Sequence, residues 1–184
     1  SAPAAALATP PGPVAAAPAA AQPGEAEAYE AAYALVRSQK FDQAVAAFQQ
    51  FQRNYPAGMY APNAYYWLGE SYYVTQNYDL ALEAFQTLLS QHPGSRKEAD
   101  ALLKMGYCQI ALGQRAAGEA TLRAVTSRHA GTDAAGKAES RLRTLAVDTA
   151  AQPEDWGGPL DSVEADEFGY TDLAESAHPG EVLE

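Results

Sequence analysis

The chain repeats itself every 37 residues, and a repeat of that length constrains the fold more than any single residue does. The register links Ala44 with Ala81 and Gly118, Phe48 with Phe85 and Leu122, and Pro56 with Pro93 and Ala130. It also links Ala32 with Gly69 and Gly106, and the turn residues Gly58, Ser95 and Thr132. One such unit cannot bury its apolar face alone, so units stack on their neighbours and build an extended concave surface. Surfaces of that kind serve protein binding rather than chemistry.

Helical pairs are most legible in the middle unit. A first helix carries PNAYYWLGESYYV, a break falls at Gln76-Asn77, and a second helix runs through DLALEAFQTLLSQ to Pro93. Pro62 sits in the first turn, where its missing N–H costs nothing. In the third unit Ser95 stands three residues before Glu98, a capping-box spacing. That unit continues through ADALLKMGYCQIAL, breaks at Gly113 and resumes to the Gly131 stop. After Thr132, DAAGKAESRLRTLA reads as one more first-type helix that caps the array.

The middle unit matches the tetratricopeptide repeat (TPR) at Tyr65, Leu68, Gly69, Tyr72, Ala81, Phe85 and Pro93. Gly69 and Ala81 are small where two helices cross closely, and the larger residues fill the space around the crossing. The predicted fold is therefore an all-α TPR solenoid of three helix-turn-helix repeats (25–57, 58–94 and 95–131) plus a C-terminal capping helix at 132–146. The period exceeds the usual 34, and the surplus is expected to lengthen each first helix by about one turn.

First helices line the concave face of such a stack. The register places Tyr29, Tyr33, Asn63, Tyr66, Glu70, Tyr73, Leu103, Tyr107 and Ile110 there as a candidate partner-binding groove, with at least three tyrosines expected to stand exposed. The alternative is that several are ordinary packing between units. A TPR subtype that clamps C-terminal carboxylates uses basic and Asn side chains at these positions. Here Tyr29 and Tyr33 take two of the places and Lys104 is the clear basic match, so that clamp is not expected.

Charge is segregated along the chain. Residues 1–146 hold 12 acidic and 12 basic residues, whereas 147–184 hold 11 acidic residues and no Lys or Arg. A neutral folded part argues against nucleic acid or an anionic membrane as partner. Residues 1–24 are Pro/Ala-rich and uncharged, which predicts a semi-extended linker. Residues 147–184 lose the apolar periodicity and are expected to be a disordered acidic tail. From Arg96 to Ala146 there are nine basic residues against five acidic ones. They read as a solvated outer face of helices, or as a surface onto which the acidic tail folds back.

Catalysis and cofactor binding find little support. His92 and His129 are repeat equivalents at helix C-termini, where a protonated ring is favoured, and His178 lies in the tail. No phosphate loop, nucleophile elbow or zinc motif is present, and no metal or cofactor is expected. Cys108, the one cysteine, falls where the other units have Ala34 and Ser71 and reads as a buried small residue. There is no apolar run long enough to span a membrane. No apolar leader is present and the chain opens on Ser1, which reads as a processed or truncated product.

The segments QKFDQAVAAFQQFQRNYP, YAPNAYYWLGESYY, NYDLALEAFQTLL and DALLKMGYCQIALG resemble the C-terminal TPR domain of the YbgF family of Tol-Pal system proteins, also called cell division coordinators CpoB. The likeness covers roughly residues 25–146. It implies a non-enzymatic periplasmic scaffold in a Gram-negative bacterium. Its partners would be TolA and a penicillin-binding protein, and it would coordinate outer-membrane constriction with septal peptidoglycan synthesis. Family members carry a signal peptide and trimerise through a coiled coil that this sequence lacks, and the acidic tail is not a family feature. The alternative is another TPR adaptor of envelope assembly, of the barrel-assembly lipoprotein type, which would need a lipid-bearing cysteine at the mature N-terminus.

Overall fold

A computed structural model describes residues 22–150, so residues 1–21 of the expected linker and 151–184 of the expected tail lie outside the described residues. Among the described residues the elements are seven α-helices: α1 (Glu25–Arg37), α2 (Phe41–Asn54), α3 (Ala61–Val74), α4 (Tyr78–Gln91), α5 (Glu98–Ala111), α6 (Arg115–Arg128) and α7 (Asp133–Ala150). The 37-residue period is thus a structural period. First helices α3 and α5 have 14 residues, as do second helices α2, α4 and α6. The expectation of a longer first helix is corrected: the extra residues lie in the connections 55–60 and 92–97 between units.

Each first helix ends in the same way. Gln39, Gln76 and Gly113 take left-handed backbone at φ 56°, 61° and 76°. In each turn that residue's N–H donates to the carbonyl of Val36, Tyr73 or Ile110, and the next N–H donates to Leu35, Tyr72 or Gln109. These paired bonds form a Schellman motif, which satisfies carbonyls at the helix end and reverses the chain in three residues. The αL requirement falls on glycine only in the third unit, so Gln39 and Gln76 hold a conformation that disfavours a side chain.

Packing follows the register. Phe48, Phe85 and Leu122 are fully buried on the second helices, as are Phe51, Leu88 and Val125 three residues later. Opposite them the first helices present Ala32, Gly69 and Gly106. A Cβ at Gly69 would lie 2.6 Å from the Phe85 ring, and one at Gly118 would lie 2.9 Å from the Gly106 carbonyl oxygen. The third unit therefore crosses glycine on glycine, backbone nearly on backbone. Neighbouring helices pack in sequence, and first helices also meet directly, α1 on α3 and α5 on α7. The first helices form the inner side of the stack.

The connections between units are fixed by carboxylates. Glu25 is fully buried, and its Oε1 and Oε2 accept from the N–H groups of Tyr60 (2.7 Å) and Gln22 (2.9 Å). Gly58 lies against that carboxylate, with no room for a Cβ. Glu98 opens α5 and accepts from the Gly94 N–H and from Arg128. The predicted capping box is corrected here. The helix starts at Glu98, so Ser95 lies outside the N-cap position and its buried hydroxyl caps nothing. Thr132 does cap, its Oγ1 accepting from the Ala135 N–H at the start of α7.

The cap helix is in phase with the other first helices, since Ala138 is fully buried like Ala64 and Ala101. It runs to Ala150, four residues past the predicted end of the cap, and Arg115 on α6 ties down its Leu145 carbonyl. Among the described residues no helix is long and apolar enough to cross a membrane.

Two expected outcomes follow from this packing. Gly118→Ala should lower stability by about 1–3 kcal/mol, because the methyl meets backbone that cannot yield. Gly136→Ala, with nothing near its Cβ, should raise it by about 0.5–1 kcal/mol. Urea denaturation of both variants compares them directly, and a stabilised Gly118→Ala would contradict the close crossing. Gln76→Gly should raise the melting temperature through relief of roughly 1 kcal/mol of left-handed strain. A lowered melting temperature would show that the Gln76 side chain contributes more than its backbone costs.

Candidate functional site

The inner side is built from the turn faces of α1, α3 and α5, where the sequence places an unusual density of rings. Tyr29 stacks on Tyr60 at 5.0 Å and lies parallel to Tyr33 at 6.1 Å. Tyr33 meets Trp67 at 5.0 Å, Trp67 meets Tyr66 at 5.2 Å, and Tyr66 reaches Phe85 on α4 at 5.9 Å. A continuous aromatic seam thus runs from the first unit into the second. Such offset and edge contacts add about 0.5–1.5 kcal/mol each beyond the area they bury.

Cations line this seam. Arg37 lies 5.5 Å over Tyr33, Lys97 lies 5.1 Å over Tyr66 and 6.0 Å over Trp67, and Lys104 lies 5.2 Å over Tyr73. Lys104 also donates to Glu70 Oε2 at 2.8 Å, and both side chains are largely buried. Among the described residues no hydrogen-bond donor reaches the other carboxylate oxygen, Glu70 Oε1, although it is buried. An acceptor left in that state costs about 1–3 kcal/mol.

The structure divides the candidate residues between two core clusters, Tyr29, Tyr33 and Tyr66 in one and Leu103, Tyr107 and Ile110 in the other, and buries most of them. Tyr29, Tyr33, Tyr66, Glu70, Leu103, Tyr107 and Ile110 are all at most 9 % exposed. The expectation of at least three exposed tyrosines is corrected: adjacent first helices approach closely enough that the rings fill the space between units. Asn63 and Tyr73 are half-buried and present more surface. Burial also pushes the phenols of Tyr29 and Tyr73 well above the ordinary tyrosine range, so both stay neutral hydroxyls.

Trp67, Lys97 and Tyr60 belong to the same seam and were not read as site residues from sequence. The signal was available in the register: Trp67 is the 37-residue equivalent of Glu30 and Lys104, and Lys97 that of Tyr60. The basic residues of the third unit also divide in a way that composition hides. Arg115 and Arg123 pair with Glu119, and Arg128 with Glu98, whereas Lys97 and Lys104 lie over the rings of α3. Lys97 and Lys104 are therefore not part of a solvated outer face.

The residues that could suggest chemistry have other roles. Cys108 is fully buried, and burial pushes its thiol up to about 12, which keeps it protonated and unreactive. His92 was expected to favour its protonated form at the end of α4, but burial lowers its pKa and favours the neutral ring. No group of three His, Cys, Asp or Glu among the described residues could hold a metal ion. What remains is a ring-filled seam with cations over its rings.

Comparison with known proteins agrees with this geometry. Tetratricopeptide-repeat family models match residues 29–96 and 75–142. The chain is 52 % identical over 42 residues to the cell division coordinator CpoB of Pseudomonas putida, covering 23 % of this chain and 16 % of that protein. It is likewise 52 % identical over 46 residues to CpoB of Escherichia coli (strain K12), covering 24 % and 18 %. The matches thus span less than a fifth of either relative's length. Among solved structures, the first TPR of Spaghetti (RPAP3) bound to the HSP90 peptide SRMEEVD aligns with a TM-score of 0.59 at 15 % identity, over 71 % of this chain and 97 % of that one. The Sgt2 TPR domain from Aspergillus fumigatus aligns at 0.61 and 13 %, over 82 % and 97 %. At such identities the structural likeness concerns the fold alone. The chain carries a tetratricopeptide-repeat domain, a helical protein-interaction fold, with partial sequence kinship to the cell division coordinators.

Proposed function

We propose that this chain is a protein-interaction scaffold of the Tol-Pal system, acting in the periplasm of a Gram-negative bacterium during cell division. In this reading it docks a segment of a TolA-like protein on the first-helix face, and it links outer-membrane constriction to septal peptidoglycan synthesis through a penicillin-binding protein. The short, strong identity to the cell division coordinators carries the assignment. The geometry of the inner side supports the site. The packed rings hold the half-buried Asn63 and Tyr73 in fixed positions, so little entropy would be lost in using them for contact.

Asn63 provides the test, because it is half-buried on α3, in register with Ala26 and Asp100, and is not one of the described core residues. Calorimetric titration of the full chain with the soluble part of a TolA-like protein is expected to show binding. Asn63→Arg should weaken that binding tenfold or more, about 1.4 kcal/mol, while the circular dichroism melt stays unchanged. Absence of binding by the unsubstituted chain would remove the Tol-Pal assignment. Equal binding by Asn63→Arg would remove the first-helix face as its site.

A further inference from the structure

The last helix departs from the earlier first helices on the side that their second helices cover, a side that no described element covers in α7. Arg143 stands in α7 where Gly69 and Gly106 stand in the first helices before it. Those glycines are needed because a second helix crosses at van der Waals distance. No second helix follows α7 among the described residues, and a guanidinium at that place is incompatible with one crossing as closely. Val147, in register with Val36, Tyr73 and Ile110, is 66 % exposed, whereas Val36 and Ile110 are buried. Arg143, itself exposed, lies one turn before Val147 on the same side, whereas Arg141, in register with Lys104, is turned toward the preceding unit. The open side of α7 therefore offers an apolar side chain beside a cation.

Charge is graded along the whole domain toward that side. Residues 25–95 hold seven acidic and three basic residues, and residues 96–146 hold five acidic and nine basic. The chain that continues from Ala150 has the complementary character: residues 151–184 contain ten Asp or Glu, no Lys or Arg, and Trp156, Leu160, Phe168, Tyr170 and Leu173. We propose that the acidic segment 151–184 folds back over the open side of α7, placing a carboxylate on Arg143 and an apolar side chain on Val147. Reach is no obstacle, since 34 residues can extend roughly 110 Å against about 27 Å for α7. Tethering raises the local concentration to the order of millimolar, enough for a weak, salt-sensitive contact to be populated. The proposal is independent of the Tol-Pal reading and involves no external partner.

Paramagnetic relaxation tests it on the full chain. A nitroxide is attached at Ser176→Cys in a Cys108→Ser background, a change the fold tolerates because Ser71 is the buried equivalent of Cys108. At about 20 mM salt the amide signals of Arg143, Ala146 and Val147 should lose more than half of their intensity, and those of α1 should not. The loss should vanish at about 500 mM salt, where charges are screened within a few ångströms. It should also vanish in Arg143→Glu. Neutralising Asp161, Glu164, Asp166 and Glu167 to their amides should have the same effect without touching the helical domain. No broadening at low salt, or broadening spread evenly over all helices, overturns the proposal. So does broadening transferred to an unlabelled copy mixed with a labelled one, which would place the segment on a second molecule.

Discussion

Close crossing of the two helices in each unit is the constraint on which the remaining structure depends. Gly106 meets Gly118 in the third unit, and buried small residues, Ala32 with Ala44 and Gly69 with Ala81, stand at the same register positions in the others. Because each pair is small, the second helix can bring Phe48, Phe85 or Leu122 fully into the core beside it. The crossing fixes helix rotation, and rotation fixes which first-helix residues point to the next unit. Tyr29, Tyr66 and Leu103 face inward for that reason. A larger residue at any crossing would turn the helix and carry the whole aromatic seam with it.

That seam also explains how an inner side so rich in rings remains ordered. Phenol and indole rings between units supply contact area with few rotatable bonds, so little entropy is lost in fixing them. Cations at their edges contribute about 0.5–1 kcal/mol each where the face is partly solvated. Lys104 does more, because it neutralises Glu70 in a largely buried pair. Removing either partner would leave the other charge without compensation, which is far costlier than the pair's net contribution. The pair is therefore a lock between the second and third units rather than a source of large stability.

The register carried most of the fold in legible form. Helix identity, the turns at Gln76 and Gly113 and the small-on-small crossings all follow from residue type at fixed spacing. What spacing could not reveal was depth. Tyr29 and Tyr107 have the right helical phase for an inner face, yet their exposure depends on how near the next first helix comes, and that distance is set by the connections. The six residues of 92–97 place Lys97 over Trp67, a contact between units that no single-unit pattern contains. Ser95 and Glu98 misled for a related reason. Their spacing suits a capping box, but the connection runs on to Lys97 before the helix begins, so the carboxylate binds the Gly94 N–H and Arg128 instead. The histidine at the end of α4 shows the same limit, since burial against Tyr65 outweighs the field of the helix end.

The difference between the two ends of the stack gives the repeat its direction. At the first end, Glu25 is buried and holds the connection to α3 through Tyr60, so the α1 start is closed by hydrogen bonds to backbone. At the last end, α7 has no second helix against it among the described residues, and its sequence has adapted by exchanging a crossing glycine for Arg143. A solenoid must cover its terminal apolar face or leave it to aggregate. Alanines at 134, 135 and 138 keep the α7 contribution to the core small, and Leu145 supplies one large anchor. Among the described residues the remaining side of α7 carries Arg143 where the earlier first helices carry a crossing glycine. An end built in this way exposes one valine rather than an apolar stripe, and its cation is the natural counterpart to an acidic chain.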